Sequence, residues 1–245
     1  MTEVTWTGKK YWLVGASDGL GAALAEVMSR AGAEVILSAR SEESLQEVAD
    51  RLPGKARVQT MDISDDDSVK EAAAAIGEVD GVVLLAGVYW PFAATEWDAD
   101  QATAMADINF TGFVRVLGQV VPHFVKRDAG HIVITSSLTG FRGLPGSIGY
   151  TASKAATMSL AECMHADLRK TGVRVQVCNP GFIKTRLTDK NEFKMPFIME
   201  PQQAAREMFE HMNADAFKKS FPGFFSLLFR GSQFLPDWLY YRIFS

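Results

Sequence analysis

Tyr150 is followed four residues later by Lys154, and Ser137 stands thirteen residues before Tyr150. On a helix, positions i and i+4 share one face, so the phenol and the ammonium would lie side by side. A free phenol titrates near pH ~10, too high for a useful base at neutral pH, and a nearby cation brings that value down by favouring the phenolate. A serine hydroxyl beside the pair can hold a carbonyl or alcohol oxygen against the phenol. Together the three could move a proton on or off a substrate oxygen. Tyr and Lys at this spacing also occur as an ordinary surface pair, so their position in the fold has to carry the assignment.

A second cluster, Gly15-Ala16-Ser17-Asp18-Gly19-Leu20-Gly21, follows a short apolar run and opens a stretch of helical period. Glycine permits a tight turn and a close backbone approach to a pyrophosphate, and a helix N-terminus adds free N–H groups and a positive dipole end. Such a turn also serves simple strand-to-helix packing. If it holds a dinucleotide, the proton chemistry gains a partner, because hydride exchange with a nicotinamide needs a matching proton transfer at the substrate oxygen.

Both clusters need a scaffold, and the pattern of the chain supplies one. Short β-branched or apolar runs predict strands at Tyr11–Val14, Glu34–Ser38, Arg57–Thr60, Gly81–Leu85, His131–Thr135 and Val173–Cys178. Helical periodicity places helices at Leu20–Ala31, Glu42–Arg51, Asp65–Ile76, Asp100–Lys126, Gly149–Lys170 and Pro201–Met212. This alternation implies an α/β fold: a doubly wound parallel β-sheet of six or seven strands with helices on both faces, a Rossmann-like three-layer sandwich. Lys218–Phe221 is a candidate for a seventh, edge strand. Ligands in such sheets bind at the carboxyl ends of the strands, where the glycine loop, Ser137 and Tyr150 would meet.

With 245 residues and 47% apolar content, the expectation is a single domain over 1–245, with an aromatic-rich extension from about residue 217. A net charge of −4 with dispersed basic residues argues against nucleic acid as a partner. Cys163 and Cys178 fall within a predicted helix and strand, the pattern of buried free thiols, which suits a cytoplasmic location. The apolar run Tyr11–Val14 is too short for a signal peptide, and no apolar stretch of spanning length occurs. His123, His131, His165 and His211 are not at metal-ligand spacing, so no metal is expected.

Over about its first 190 residues the chain resembles the short-chain dehydrogenases/reductases. Tyr150-Thr-Ala-Ser-Lys154 is similar to that family's Tyr-x-x-x-Lys motif, and Ser136-Ser137-Leu138-Thr139-Gly140 to its catalytic serine segment. The resemblance implies an oxidoreductase with Ser137, Tyr150, Lys154 and Asn109 as catalytic residues. Asn109, in Asp107-Ile108-Asn109, would kink its helix and hold a water that relays protons from Lys154. For the cofactor it implies contacts from Gly15, Ser17, Asp18, Gly19, Leu20 and Gly21, from Asp62 and Ile63 at the adenine, and from Ala86 and Gly87. Asn179-Pro180-Gly181 with Thr185 resembles the loop that closes over nicotinamide, so Pro180, Gly181, Ile183 and Thr185 join the set beside Tyr150 and Lys154. Asp62 or Ser64 could instead cap the next helix. Leu84-Leu85-Ala86-Gly87 departs from the family's usual Asn-Asn-Ala-Gly, removing side-chain bonds that brace the sheet, and Val14 stands where threonine is frequent.

In the family, an acid after the second strand marks NAD(H) specificity, whereas here Ala39 takes that place and Arg40 follows. Arg40 can make bidentate, charge-assisted bonds to a 2′-phosphate, which favours NADP(H) over NAD(H). Asp18 opposes this unless it points away and caps the following helix.

Leu138, Phe141, Leu144, Tyr89, Trp90, Phe92, Phe182, Leu187, Phe193, Met195 and Phe197 are candidate lining for a small apolar carbonyl or alcohol substrate, and each could equally be core. The segment from Phe217 to Ser245 holds ten aromatic residues. It is expected to pack over the site or across a subunit boundary in preference to a membrane surface, because Arg230, Asp237 and Arg242 interrupt it. The resemblance implies a homodimer or homotetramer, often formed through the helices carrying Asn109 and Tyr150. A non-catalytic NADP(H)-binding sensor and a membrane-peripheral scaffold are the competing functions.

Overall fold

The computed structural model describes residues 5–190 and 195–244. Strands β1 (Lys10–Val14), β2 (Glu34–Ser38), β3 (Ala56–Val58), β4 (Gly81–Leu84), β5 (Gly130–Thr135), β6 (Val173–Pro180) and β7 (Lys218–Phe221) form one sheet in the order β3-β2-β1-β4-β5-β6-β7. All neighbours are parallel, with Leu13 of β1 in register with Leu37 on one side and Val83 on the other. The expected edge strand at Lys218–Phe221 is β7, paired with β6.

Parallel strands need crossovers, and helices supply them: α1 (Gly19–Arg30), α2 (Glu42–Ala49), α3 (Asp66–Ile76), α4 (Ala99–Ala106), α5 (Gly112–Lys126), α6 (Ile148–Leu168) and α7 (Pro201–Asn213). Successive strand residues point to opposite faces, so each central strand feeds two cores. Leu13, Leu37, Val83 and Val133 pack on one face against Leu24 and Met28 of α1, Leu45 of α2 and Met208 of α7. Trp12, Ile36, Val82 and Ile132 pack on the other against Val69 of α3, Phe113 and Phe124 of α5, and Ala161 of α6. That division is the three-layer Rossmann-like sandwich. Beyond β7 the chain turns into two short helices, α8 (Gly223–Ser232) and α9 (Asp237–Phe244), which the periodicity of the sequence does not predict.

Three local expectations are corrected. The helix expected over Asp100–Lys126 is interrupted by a π-helical turn at Asp107–Thr111, braced by Arg115, which bonds Asp107 at 2.7 Å and Asp66 of α3 at 2.5 Å. Cys163 is exposed, because the buried stripe of α6 runs through Lys154, Met158 and Ala161 and leaves position 163 on the outer side; Cys178 on β6 is buried, and both are free thiols. Neither Asp62 nor Ser64 caps α3. Asp65 does, accepting from the Ser68 N–H at 2.7 Å, while Asp62 accepts from the Ser64 N–H and hydroxyl.

Candidate active site

From β1 the chain winds outward through β2 to β3, then crosses back to β4 on the other side of β1, so the strand order reverses between β1 and β4 and a crevice opens at their carboxyl ends. Here the loop after β1 rests directly on the loop after β4. Gly15 has φ +95°, and a Cβ there would overlap the Ala86 backbone nitrogen; a Cβ at Gly21 would overlap the Gly15 carbonyl oxygen. The loop therefore has to be glycine to fold so tightly. Its last turn enters α1, whose first N–H groups have no intrahelical acceptor and whose first turn carries no acidic side chain. Such open donors beside a cleft fit a dinucleotide pyrophosphate.

The cleft has a volume of about 660 Å³. It is lined by Gly15, Ser17, Asp18, Gly19, Leu20 and Gly21, by Arg40, Asp62 and Ile63, by Ala86 and Gly87, and by Tyr150, Lys154, Pro180, Gly181, Ile183 and Thr185. Every cofactor contact expected from sequence thus borders one space. Arg40 is exposed at its rim. Burial works against the charge of Asp62, but two bonds from Ser64 and the fields of Arg40 and Arg115 hold its carboxyl below the usual range.

At the inner end, Ser136 and Ser137 leave β5 and α6 brings up Tyr150 and Lys154. Ser136 Oγ donates to the Lys154 carbonyl at 2.6 Å, fastening the strand end to the helix. Lys154 is 3% exposed, donates from Nζ to the Thr135 carbonyl at 3.0 Å, and lies 5.7 Å from the Tyr150 ring centroid and 5.6 Å from that of Phe113. Burial brings its pKa down from 10.5 to about 8. The lowering of the Tyr150 phenol expected from Lys154 is corrected: burial raises it to about 12, against a hydrogen-bonding contribution from Ser137 and with the help of neighbouring Tyr89. Ser137 Oγ accepts from the Thr139 N–H at 3.2 Å and the Thr139 hydroxyl at 3.1 Å, which leaves its own proton to donate.

Asn109 is fully buried in the π-helical turn, behind the loop after β4. Its Oδ1 accepts from the Val88 N–H at 2.7 Å, and its Nδ2 donates to the Val88 carbonyl at 3.0 Å and to Ser153 Oγ at 3.0 Å. Those bonds brace the segment in which the sequence lacks asparagine at Leu84 and Leu85. The backbone helps, since Leu85 and Ala86 N–H groups both donate to the Val14 carbonyl.

Asp18 does not cap α1. Its carboxylate pairs at 2.5 Å with Arg186, a residue the sequence reading did not select. The partners are 168 positions apart, and nothing local in either segment signals the contact. Arg186, Leu187 and Thr188 also line the cleft.

The candidate substrate lining divides. Tyr89 sits edge-on to Tyr150 with centroids 5.1 Å apart, and Leu187 lines the cleft. Trp90 lies under Lys190, whose Nζ also donates to the Tyr89 carbonyl at 2.8 Å. Leu138 and Phe92 are buried, and Phe141 borders a separate hollow with Met158 and Lys218. Phe197 is exposed and leans on Phe225 of α8. Phe193 lies outside the described residues.

One parallel sheet carries a cleft at its strand ends, with Tyr150 and Lys154 at the inner end beside Ser136 and Ser137. The family model for short chain dehydrogenase matches residues 9–195, and the chain belongs to that family, whose members act on CH–OH or C=O groups. An uncharacterized oxidoreductase of Myxococcus xanthus is 36% identical over 235 residues, covering 93% of each chain. Among solved structures, a short-chain dehydrogenase from Streptomyces avermitilis matches with a TM-score of 0.83 and 25% identity over 96% of this chain and 95% of that one. A short-chain dehydrogenase from Sphingobium yanoikuyae, in complex with NADPH, shares the fold with a TM-score of 0.82 at 21% identity over 91% of each chain. Among the described residues, no helix is long and apolar enough to cross a membrane.

Proposed function

We propose that this chain interconverts small apolar ketones or aldehydes and their alcohols with NADP(H), using Tyr150 as the general acid and base. The observation that carries this reading is the placement of the Tyr150 phenol and the Lys154 ammonium on the floor of the cleft that the glycine loop opens. Bound there, the nicotinamide would supply or accept the hydride. With its pKa near 12, the phenol holds its proton at neutral pH and can give it to a carbonyl oxygen as negative charge develops. Ser137 donates its free proton to the same oxygen and fixes it against the phenol. The Lys154 ammonium stabilises the phenolate left behind, and Asn109, which bonds the Val88 backbone and the Ser153 hydroxyl, would hold the water that relays protons from Lys154.

Arg40 supports NADP(H) over NAD(H), since an exposed guanidinium at the rim near Asp62 suits a 2′-phosphate. Pairing with Arg186 offsets the Asp18 charge that would oppose it. The test is oxidation of NADPH and of NADH against a panel of apolar aldehydes and ketones. Turnover with NADPH preferred is expected; tight NADPH binding without turnover on any compound would favour a sensor.

A further inference from the structure

Helices α8 and α9 are fastened to the body yet turn their apolar sides outward. Arg142 donates to the Ser232 and Leu235 carbonyls at 2.7 Å each, pairs with Asp237 at 2.5 Å, and stacks 4.0 Å from the Tyr240 ring centroid. The Tyr240 hydroxyl donates to the Gly143 carbonyl at 2.6 Å, and Phe225 packs on Phe182 and Phe197 beside the loop after β6. What remains outside is unusual. Of the twelve large apolar side chains exposed among the described residues, seven lie in the 22 residues from 223 to 244. Phe224, Leu227, Leu228, Phe234, Trp238 and Tyr241 are each between 52% and 88% exposed. Phe197 and Ile198 add to the same patch, with Phe197 only 6.4 Å from Phe224 between ring centroids.

The charges on this face are one-sided. Asp237 is neutralised by Arg142, whereas neither Arg230 nor Arg242 forms an ion pair among the described residues. Arg230 follows Leu227 by three positions and borders the same hollow as Leu227 and Phe234; Arg242 follows Trp238 by four, so each cation shares a side with the apolar residues. In a two-fold homodimer the patch would meet its own copy, bringing the unpaired arginines of both chains into one apolar interface. An anionic lipid surface takes both arginines while Phe, Leu and Trp enter the acyl boundary and the arginine stems lie along it.

We propose that α8, α9 and the Phe197–Ile198 segment form a docking face for an anionic lipid bilayer, seating the enzyme with the rim of its cleft beside the membrane. Although the sequence suggests that Arg230, Asp237 and Arg242 interrupt the apolar run, the fold offsets the exposed Asp237 with Arg142 and leaves both other arginines unpaired among the described residues. The proposal does not depend on the catalytic reading.

Flotation of the full chain with phosphatidylcholine vesicles, with and without phosphatidylglycerol, tests it. Three exposed positions are changed together in one variant (Leu227→Ser, Phe234→Ser, Trp238→Ser), and both arginines together in a second, charge-reversed one (Arg230→Glu, Arg242→Glu), with melting curves and sedimentation velocity as checks of fold and association. Wild type should bind the phosphatidylglycerol vesicles more tightly at low salt, the triple variant at least tenfold more weakly, and the charge-reversed variant without preference for the anionic lipid. Failure of the wild type to bind either vesicle, or equal binding by the triple variant, overturns the proposal. So does a dimer that the triple variant loses while no vesicle is bound, which assigns the face to a second copy.

Discussion

Lys154→Met should abolish turnover while making the cofactor-free protein more stable. Lys154 is buried without an anionic partner, and its pKa falls from 10.5 to about 8. At about 1.36 kcal/mol per pH unit, that difference amounts to roughly 3 kcal/mol of cost to the folded state below pH ~8. Methionine fills a similar volume without charge but leaves the Thr135 carbonyl without its 3.0 Å donor, a loss of about 1 kcal/mol or more. The expected net gain is about 1–2 kcal/mol, or a few degrees in Tm for a chain of this length. Its pH dependence distinguishes it from a packing effect. Below about pH 8 the lysine is protonated in both folded and unfolded chains, so the cost is fully present. Between about 8 and 10.5 the folded chain gives up the proton first, so wild-type stability rises relative to the variant and the advantage fades. Urea unfolding of both proteins from pH 7 to pH ~10.5 measures this. A variant less stable than wild type, or one whose advantage is the same at every pH, would refute the reasoning that the site holds a desolvated cation.

Replacing Arg40 with alanine should raise the Kd for NADPH by about ten- to a hundredfold, the worth of a charge-assisted phosphate bond, and leave that for NADH within about twofold; direct titration of each nucleotide reads this. Asn109→Ala leaves both Val88 backbone groups and Ser153 without their side-chain partner, and should cost about 2–4 kcal/mol in urea unfolding. A change below about 0.5 kcal/mol would mean that these bonds do not brace the loop after β4.

The strands were legible because both faces of a parallel sheet are buried, which writes them as apolar runs such as Tyr11–Val14 and His131–Thr135. The glycine loop and the Tyr150–Lys154 spacing were legible for a related reason, since each is a local requirement of one turn or one helix face. What was missed depends on contacts between distant segments. The kink at Asn109 was signalled by the family resemblance alone, because the π-helical turn rests on Asn109 reaching Val88 and Arg115 reaching Asp66, neither of which leaves a periodic trace. From its neighbours alone Asp18 could face the cofactor or cap the helix that follows, and its pairing with Arg186, 168 positions away, leaves no trace in either local segment. Helices α8 and α9 escaped notice because an outward apolar face blurs the alternation of polar and apolar residues by which amphipathic helices are recognised. Tyr240 and Arg142 show where the tail attaches only once the turn after β5 is in place.

The most direct test of the central claim is a single-turnover measurement of NADPH oxidation by Tyr150→Phe with the best carbonyl from the panel, alongside its Kd for NADPH. Loss of the phenolic proton donor should slow the step at least a hundredfold while the Kd for NADPH, to which the Tyr150 hydroxyl contributes one contact, changes by less than about tenfold. A rate within a few fold of wild type would contradict the assignment of proton transfer to Tyr150.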